Sequence, residues 1–329
     1  MSRVTLGIID PFHPSIIDAI RDAVPADWTL SVTTGPTEAE RAQALAQADM
    51  AFVMATPMPR SLLERAPRLR FIQKLGAGTD RIDSAYCAEA GIGLARLQAG
   101  NSIPVAEHAL LLMLAACRQL PRLDRATRDG EWDKEQVRGE NRHLNGKTIG
   151  IVGFGAIGRQ VARLLSGFGV RIVYYDPVRA QSSDEAELSA EYHDLAALLD
   201  VSDVVSLHLP LMPATANLLD EARLRRMKRG AILINAARGG LVDEAALIRA
   251  LSDGHLFGAG IDAFAQEPPV GNLLLSLPNT VVTPHCAGAT IDNFSTVAAR
   301  AAENAHRVLR GEPLPEADQV LAPRTEVAQ

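Results

Sequence analysis

Arg238, Glu267 and His285 are of the types that hold a carboxylate and move a proton. Arg238 lies in Asn235-Ala236-Ala237-Arg238-Gly239-Gly240, where small residues let the backbone approach a ligand and leave one guanidinium projecting. That planar fork suits a carboxylate clamp. His285 follows Thr283-Pro284, and imidazole exchanges protons near neutral pH. Glu267, before Pro268-Pro269, would orient a neighbouring imidazole and favour its protonated form. Singly, each has an ordinary reading: a structural ion pair, a solvated loop acid, a turn histidine. Jointly they fall just after successive apolar runs, Ala231 to Asn235, Phe257 to Ile261 and Thr280 to Thr283, the ligand-facing edge of a parallel sheet.

The second chemical signal is Gly153-Phe154-Gly155-Ala156-Ile157-Gly158, placed after the apolar run Thr148 to Val152 and before a helical pattern, Ala156 to Phe168. The first glycine permits a tight turn, the second lets backbone approach a pyrophosphate, and the third lets helix and strand pack closely. The anion then rests on the helix N-terminus. Asp176 stands 18 residues beyond Gly158, near the offset at which an acid receives ribose hydroxyls and repels a 2′-phosphate. NAD is therefore expected rather than NADP. Arg179 keeps the NADP reading open, with a solvated loop charge as the alternative. Asp262, at the end of its strand, would polarise a nicotinamide carboxamide or cap a turn.

The elements around these residues form two series. The first alternates short runs (Val4 to Ile9, Thr29 to Thr33, Met50 to Met54, Arg70 to Lys74, Ile92 to Arg96) with helices at Ser15 to Val24, Thr37 to Gln47 and Ile82 to Ala90. Buried parallel strands and crossover helices read this way, with Thr37 and Glu40 as a capping box and Gly91 as a stop. The second series has six strands: the runs already named plus Arg171 to Tyr175 and Asp203 to Leu207. The fold class expected is α/β, two doubly wound parallel-sheet domains, a flavodoxin-like substrate domain and a Rossmann cofactor domain. Between the series run a nearly wholly apolar helix, Val105 to Leu120, and a charged surface arm, Arg122 to Gly146, around Trp132. The arm's tryptophan either packs within it or reaches a partner subunit. Ile291 to Leu309 is an Ala-rich helix stopped by Gly311 and Pro313.

With 329 residues, two cores are expected. The net charge of -6 and 4% aromatic content disfavour nucleic acid as a partner. Cys87, Cys117 and Cys286 form neither a metal-ligand spacing nor an even set, so no metal and no secreted disulfide framework are expected, and the cytoplasm fits best. The first residues lack the pattern of a signal peptide. The longest apolar run, Ala109 to Cys117, is short of the roughly 20 residues that cross a bilayer, so no membrane is expected.

Gly76-Ala77-Gly78-Thr79-Asp80, Ile82-Asp83, Val105-Ala106-Glu107-His108, Gly153 to Gly158, Ala237 to Asp243, Glu267-Pro268 and Pro284-His285 together resemble the D-isomer-specific 2-hydroxyacid dehydrogenases over nearly the whole chain. The resemblance implies catalytic roles for Arg238, Glu267 and His285, backbone donors to a substrate carboxylate from Gly76, Ala77 and Gly78, and a homodimer. It places residues 1–100 with 291–329 in a substrate domain and 101–290 in a cofactor domain, with chemistry in the cleft between them. The cofactor contacts it implies are Gly153, Gly155, Ala156, Ile157, Gly158, Asp176, Pro210, Ala236 and Asp262, and Asn101 joins the substrate contacts. Gly100-Asn101-Ser102 is similar to phosphoglycerate dehydrogenases, and His285 to Thr290 to glyoxylate and hydroxypyruvate reductases. Lys74, Arg81 and Arg96 would meet a phosphate or second carboxylate, or are solvated charges. The sequence stops soon after Gly311, so no serine-sensing domain is expected. Two alternatives stand beside this reading: an NAD-sensing, non-enzymatic binding protein, and a dehydrogenase of formate or phosphite. Formate enzymes of this superfamily carry glutamine where Glu267 stands.

Overall fold

The computed structural model describes residues 3–97, 100–132 and 134–323. The first five strands are β1 (Thr5–Ile8), β2 (Thr29–Val32), β3 (Met50–Val53), β4 (Phe71–Lys74) and β5 (Gly93–Ala95). All are mutually parallel, and β3 and β5 are buried throughout, which is why they read as apolar runs without alternation. The helix Glu38–Leu45 starts on the Thr37 and Glu40 capping box. Ser84–Ala90 stops at Gly91, whose φ of 74° is left-handed.

Seven further strands follow: β6 (Thr148–Val152), β7 (Arg171–Tyr175), β8 (Ala190–Tyr192), β9 (Val204–Leu207), β10 (Ile232–Asn235), β11 (Gly258–Ile261) and β12 (Thr280–Val282). They form one parallel sheet in the order β12-β11-β10-β9-β6-β7-β8. The order reverses between β9 and β6, where such sheets bind ligands. The chain then returns through helix Ile291–Leu309, which packs on helix Pro14–Ala23 and on β4, to β13 (Gln319–Leu321). β13 runs antiparallel to β5 and completes a sheet of order β13-β5-β4-β3-β1-β2. Two compact units result, Met1–Asn101 with Ala289–Gln329, and Ser102–Gly288.

The first unit buries Leu6, Ile8, Phe52 and Phe71 against Phe294 and Ala301 on one face of its sheet, and Leu45, Val53 and Ile72 on the other. In the second unit, helix Ser102–Cys117 covers β10, β11 and helix Ala156–Leu165. It begins three residues before the expected Val105, because Pro104 fits a first turn whose amide needs no partner. It ends at Cys117, and Gln119 at φ 50° turns the chain into a new helix, Leu120–Arg128. Among the described residues no single helix is long and apolar enough to cross a membrane.

The expected five- and six-stranded sheets thus have six and seven strands. β8 and β13 are three residues long and partly exposed, too short to carry a period-2 signal. The charged arm holds two helices, Leu120–Arg128 and Lys134–Glu140, with no buried residue. Arg122 joins the two helices through Glu140 at 2.7 Å and Arg128 pairs with Asp124 at 2.9 Å, and with nothing buried these short, charge-rich helices have no core contact to mark them.

One polar knot joins the returning helix to the first sheet. Buried Asn304 donates to Gln73 Oε1 at 3.0 Å and to Asp318 Oδ2 at 3.3 Å, and all three side chains are withdrawn from water. Asn304→Ala leaves two buried acceptors short of a donor and should lower stability by about 1–3 kcal/mol, read from urea unfolding followed by Trp28, which is buried in the same unit, in a Trp132→Phe background.

Candidate active site

The nucleotide turn is built by backbone. Gly153 has φ 97°, and a Cβ there would lie 2.7 Å from the carbonyl carbon of His208 at the end of β9. A Cβ on Gly158 would sit 2.1 Å from the Gly153 carbonyl oxygen, whereas nothing lies within 4 Å of one on Gly155. The turn is therefore closed against the sheet and open above Gly155, where helix Ala156–Leu165 starts without a side-chain cap. Uncapped amides over open space suit a pyrophosphate. Half-buried Asp176 accepts the Phe154 amide at 2.8 Å and the Val178 amide at 3.0 Å, tying the end of β7 to the turn.

Arg179 grips Glu185 with two bonds, 2.8 and 3.0 Å. That bidentate contact, helped by the Tyr174 hydroxyl donating at 2.5 Å, pushes the Glu185 carboxyl down to about 2. The guanidinium is committed to a carboxylate beside the site. Pro210 is exposed, its carbonyl accepting from Thr215 Oγ1 at 2.7 Å, and Ala236 is buried just after β10.

β10 ends at buried Asn235, which shapes the next turn from both ends of its amide: Oδ1 accepts the Ala237 amide at 3.1 Å and Nδ2 donates to the Arg238 carbonyl at 2.8 Å. Arg238 Nη1 donates to the Ala237 carbonyl at 2.7 Å. At Gly239 a Cβ would lie 1.9 Å from the Phe264 carbonyl carbon and 2.1 Å from the Ala265 nitrogen. Only glycine lets the Arg238 turn rest on the loop after β11. Glu244 fixes that loop by accepting the Ala265 amide at 2.6 Å and Asn272 Nδ2 at 2.7 Å.

That loop carries Glu267. Its Oε1 accepts the Phe264 amide at 3.1 Å and meets His285 Nδ1 at 2.8 Å. The Glu267 side chain is 14% exposed and that of His285 39%, so the acid is sheltered and the ring is accessible. With Nδ1 engaged by Glu267, Nε2 is the ring nitrogen that remains to take another partner. His285 has φ 54°, a left-handed conformation that costs a non-glycine residue about 1–3 kcal/mol. Its amide donates to the carbonyls of Asp262 at 2.8 Å and Thr283 at 3.0 Å. Beside the pair opens a cavity of about 500 Å³ lined mainly by apolar side chains, among them Phe264, Pro268, Leu275, Val282 and Pro284.

Asp262 is wholly buried. Oδ1 accepts from Thr283 Oγ1 at 2.6 Å and the Cys286 amide at 2.9 Å, and Oδ2 accepts the Ala287 amide at 3.0 Å. Of the two roles expected for it, the turn-forming one is what these bonds draw. His108, Asp262 and Cys286 offer atoms within 4.8 Å of one another, but the carboxylate is already engaged by donors of the chain itself.

Arg238, Glu267 and His285 thus follow β10, β11 and β12 at one edge of one sheet. Gly76, Ala77 and Gly78 follow β4 in the first unit, where the Gly76 carbonyl accepts the Leu97 amide at 3.1 Å. Asn101 is the last residue before that unit gives way to helix Ser102–Cys117. Arg81 and Arg96 donate to the carbonyls of Ala55 and Ala317, both at 3.4 Å. Trp132 is 80% exposed, so it does not pack within the arm. Sequence reasoning assigned no role to Asn235, Glu244, Thr283, His108 or His208. A polar residue closing an apolar strand, as at Asn235, was the available signal.

Residues 110–287 match the family model described as D-isomer specific 2-hydroxyacid dehydrogenase, NAD binding domain. A D-3-phosphoglycerate dehydrogenase of Mycobacterium bovis is 37% identical over 321 residues, 97% of this chain. The chain spans about 60% of the length of that relative. A glyoxylate reductase of Korarchaeum cryptofilum is 41% identical over 263 residues, 79% of each chain. Among solved structures, the NAD-dependent formate dehydrogenase from Staphylococcus aureus in complex with NAD superposes with a TM-score of 0.85 at 27% identity, covering 97% of this chain and 99% of that one.

His208 yields a test of the nucleotide turn. Its Nε2 meets Ser206 Oγ at 2.9 Å while its Nδ1 is buried without a partner among the described residues, and burial pushes the imidazole down to about 4 from 6.5. A depressed histidine binds fewer protons folded than unfolded, so its contribution is full above pH 6.5, declines as the pH falls, and is lost by about pH 4. The stability advantage of the wild type over His208→Gln should therefore shrink between pH 7 and pH 4.5, as read from paired melting curves; a constant difference would show that the ring is not buried neutral.

Proposed function

Because the chain belongs to the D-isomer-specific 2-hydroxyacid dehydrogenase family, we propose that it is an oxidoreductase. It transfers a hydride between NAD(H) and a small D-2-hydroxy acid or 2-oxo acid of the glyoxylate, hydroxypyruvate or phosphoglycerate type. The observation that carries the proposal is the 2.8 Å contact of His285 Nδ1 with Glu267, an oriented imidazole at the same sheet edge as a guanidinium and a nucleotide turn. The residues fit the cofactor: the uncapped backbone of Gly155, Ala156 and Ile157 would hold a pyrophosphate, Asp176 would receive the ribose hydroxyls, and Pro210 and Ala236 would lie beside it. NAD bound there supplies the hydride donor or acceptor.

The chain's own groups do the rest. Arg238 clamps the substrate carboxylate, and the Gly76 to Gly78 amides and Asn101 are assigned to the same substrate on the motif resemblance. His285 Nε2 gives its proton to the carbonyl oxygen as charge develops, and takes it back from the hydroxyl in oxidation. Glu267 accepts from Nδ1, so the ring keeps one orientation and the imidazolium is stabilised. The Asp176 carboxylate and the engagement of Arg179 by Glu185 support NAD over NADP.

The likeness to a formate dehydrogenase raises a second substrate class. Formate gives up a hydride with no hydroxyl proton to move, so a histidine paired with Glu267 would have nothing to carry; the pair supports the 2-oxo acid reading. We place the enzyme in the cytoplasm, supported by three free cysteines. We read it as a homodimer, supported by Ile103, Leu111 and Leu114, exposed at helical spacing on Ser102–Cys117.

Assays of glyoxylate, hydroxypyruvate, pyruvate and, in oxidation, 3-phosphoglycerate with each nicotinamide cofactor should find turnover with at least one and a preference for NAD. His285→Ala should lower kcat by about 10²–10⁴-fold while leaving the NADH dissociation constant nearly unchanged. Full turnover in that variant would assign the proton transfer to another residue, and NADH binding by a wild type that turns over no acid would replace the enzyme with an NAD-sensing protein. Asp176→Ala should narrow the preference for NAD by weakening the ribose contact and removing the repulsion of a 2′-phosphate.

A further inference from the structure

We propose that His108 and Thr283 are positioning residues for His285, acting through a hydrogen-bonded chain from helix Ser102–Cys117 to the turn that holds the histidine. His108 Nε2 lies 3.0 Å from Thr283 Oγ1, which lies 2.6 Å from Asp262 Oδ1. The direction of each bond follows from proton counting. A buried carboxylate only accepts, and a threonine hydroxyl has one proton, so Thr283 donates to Asp262 and His108 must donate its Nε2 proton to Thr283. The chain therefore fixes the tautomer of His108 and the rotamer of Thr283 together.

Asp262 passes this order to the turn. The same carboxylate accepts the amides of Cys286 and Ala287, and the Asp262 carbonyl accepts the amide of His285. These bonds bracket the one residue at φ 54°. A left-handed non-glycine residue persists only where its surroundings over-determine it. Without the Thr283 hydroxyl, Oδ1 keeps a single amide partner and His108 loses its acceptor, so the turn is free to relax and the ring loses its aim at Glu267 Oε1. His108 is 13% exposed, and its helix packs on β10 and β11, so the anchor is a rigid element. Neither His108 nor Thr283 is assigned a contact with the reacting atoms.

The kinetic part of the test rests on the function proposed above; the spectroscopic part does not. In protein labelled with 15N-histidine, with the His285 signal assigned by its loss in His285→Gln, wild-type His285 should show the single Nδ1–H tautomer that Glu267 holds, and Thr283→Val a mixture of tautomers. With the best substrate, Thr283→Val should lower kcat by about fivefold or more, with the NADH dissociation constant changed by less than about twofold. Thr283→Ser, which restores the hydroxyl, should recover most of the loss. The His108→Leu, Thr283→Val double variant should be no slower than the worse single variant, as members of one chain are not additive. An unchanged tautomer, a smaller loss of kcat, a parallel loss of NADH affinity, a serine variant no better than valine, or multiplying effects in the double variant would each overturn the proposal. If Thr283→Val does not fold, His108→Leu alone is judged by the tautomer, kcat and NADH criteria. If the wild type turns over none of the acids, the function proposed fails, and the tautomer alone decides the positioning role.

Discussion

A histidine held at φ 54° is the constraint around which this sheet edge is organised. The conformation is unfavourable for a side chain with a Cβ, by about 1–3 kcal/mol. It is offset by a buried carboxylate whose oxygens take three donors from residues on either side of the histidine, and by two carbonyls that accept the histidine's own amide. Such a turn aims the ring away from the strand direction and toward an acid on a neighbouring loop. The geometry follows from hydrogen-bond satisfaction in a water-poor place, where leaving a buried acceptor unpaired costs as much as one strained residue, about 1–3 kcal/mol.

The rest of the edge is brought together by backbone lying on backbone. Gly153 and Gly158 let the nucleotide turn, its helix and the end of β9 touch, and Gly239 lets the Arg238 turn lie on the loop that carries Glu267. In each case the distance to a hypothetical Cβ is far below any contact that real side chains make. Buried Asn235 and half-buried Glu244 then hold the Arg238 turn and the Glu267 loop without a regular ladder. Parallel strands ending together at one edge make the rest possible, since loops of unrelated sequence emerge side by side.

Much of this was legible in residue order. The strand runs, the Thr37 capping box and the Gly91 stop are local signals and appear where local physics puts them. β8 and β13 were not legible, because three-residue, half-exposed strands owe their existence to a neighbour rather than to their own pattern. The two helices of the charged arm bury nothing and carry charge pairs, so they are short polar helices that no core contact marks. Arg179 was ambiguous in sequence because its partner, Glu185, is set by the side-chain geometry of the loop after β7.

By itself the sequence determined the chemical inventory and its place along the chain: a glycine fingerprint after a strand, an acid at the ribose offset, and an arginine, a glutamate and a histidine after three later strands. These follow from composition and period, which act over a few residues. Tertiary structure alone decided which oxygen of Glu267 meets which nitrogen of His285, that Arg179 is already engaged, and that a threonine and a second histidine stand behind the turn. Those facts depend on contacts between residues up to 175 positions apart, and no local preference encodes a distance that closes only when the sheet has formed.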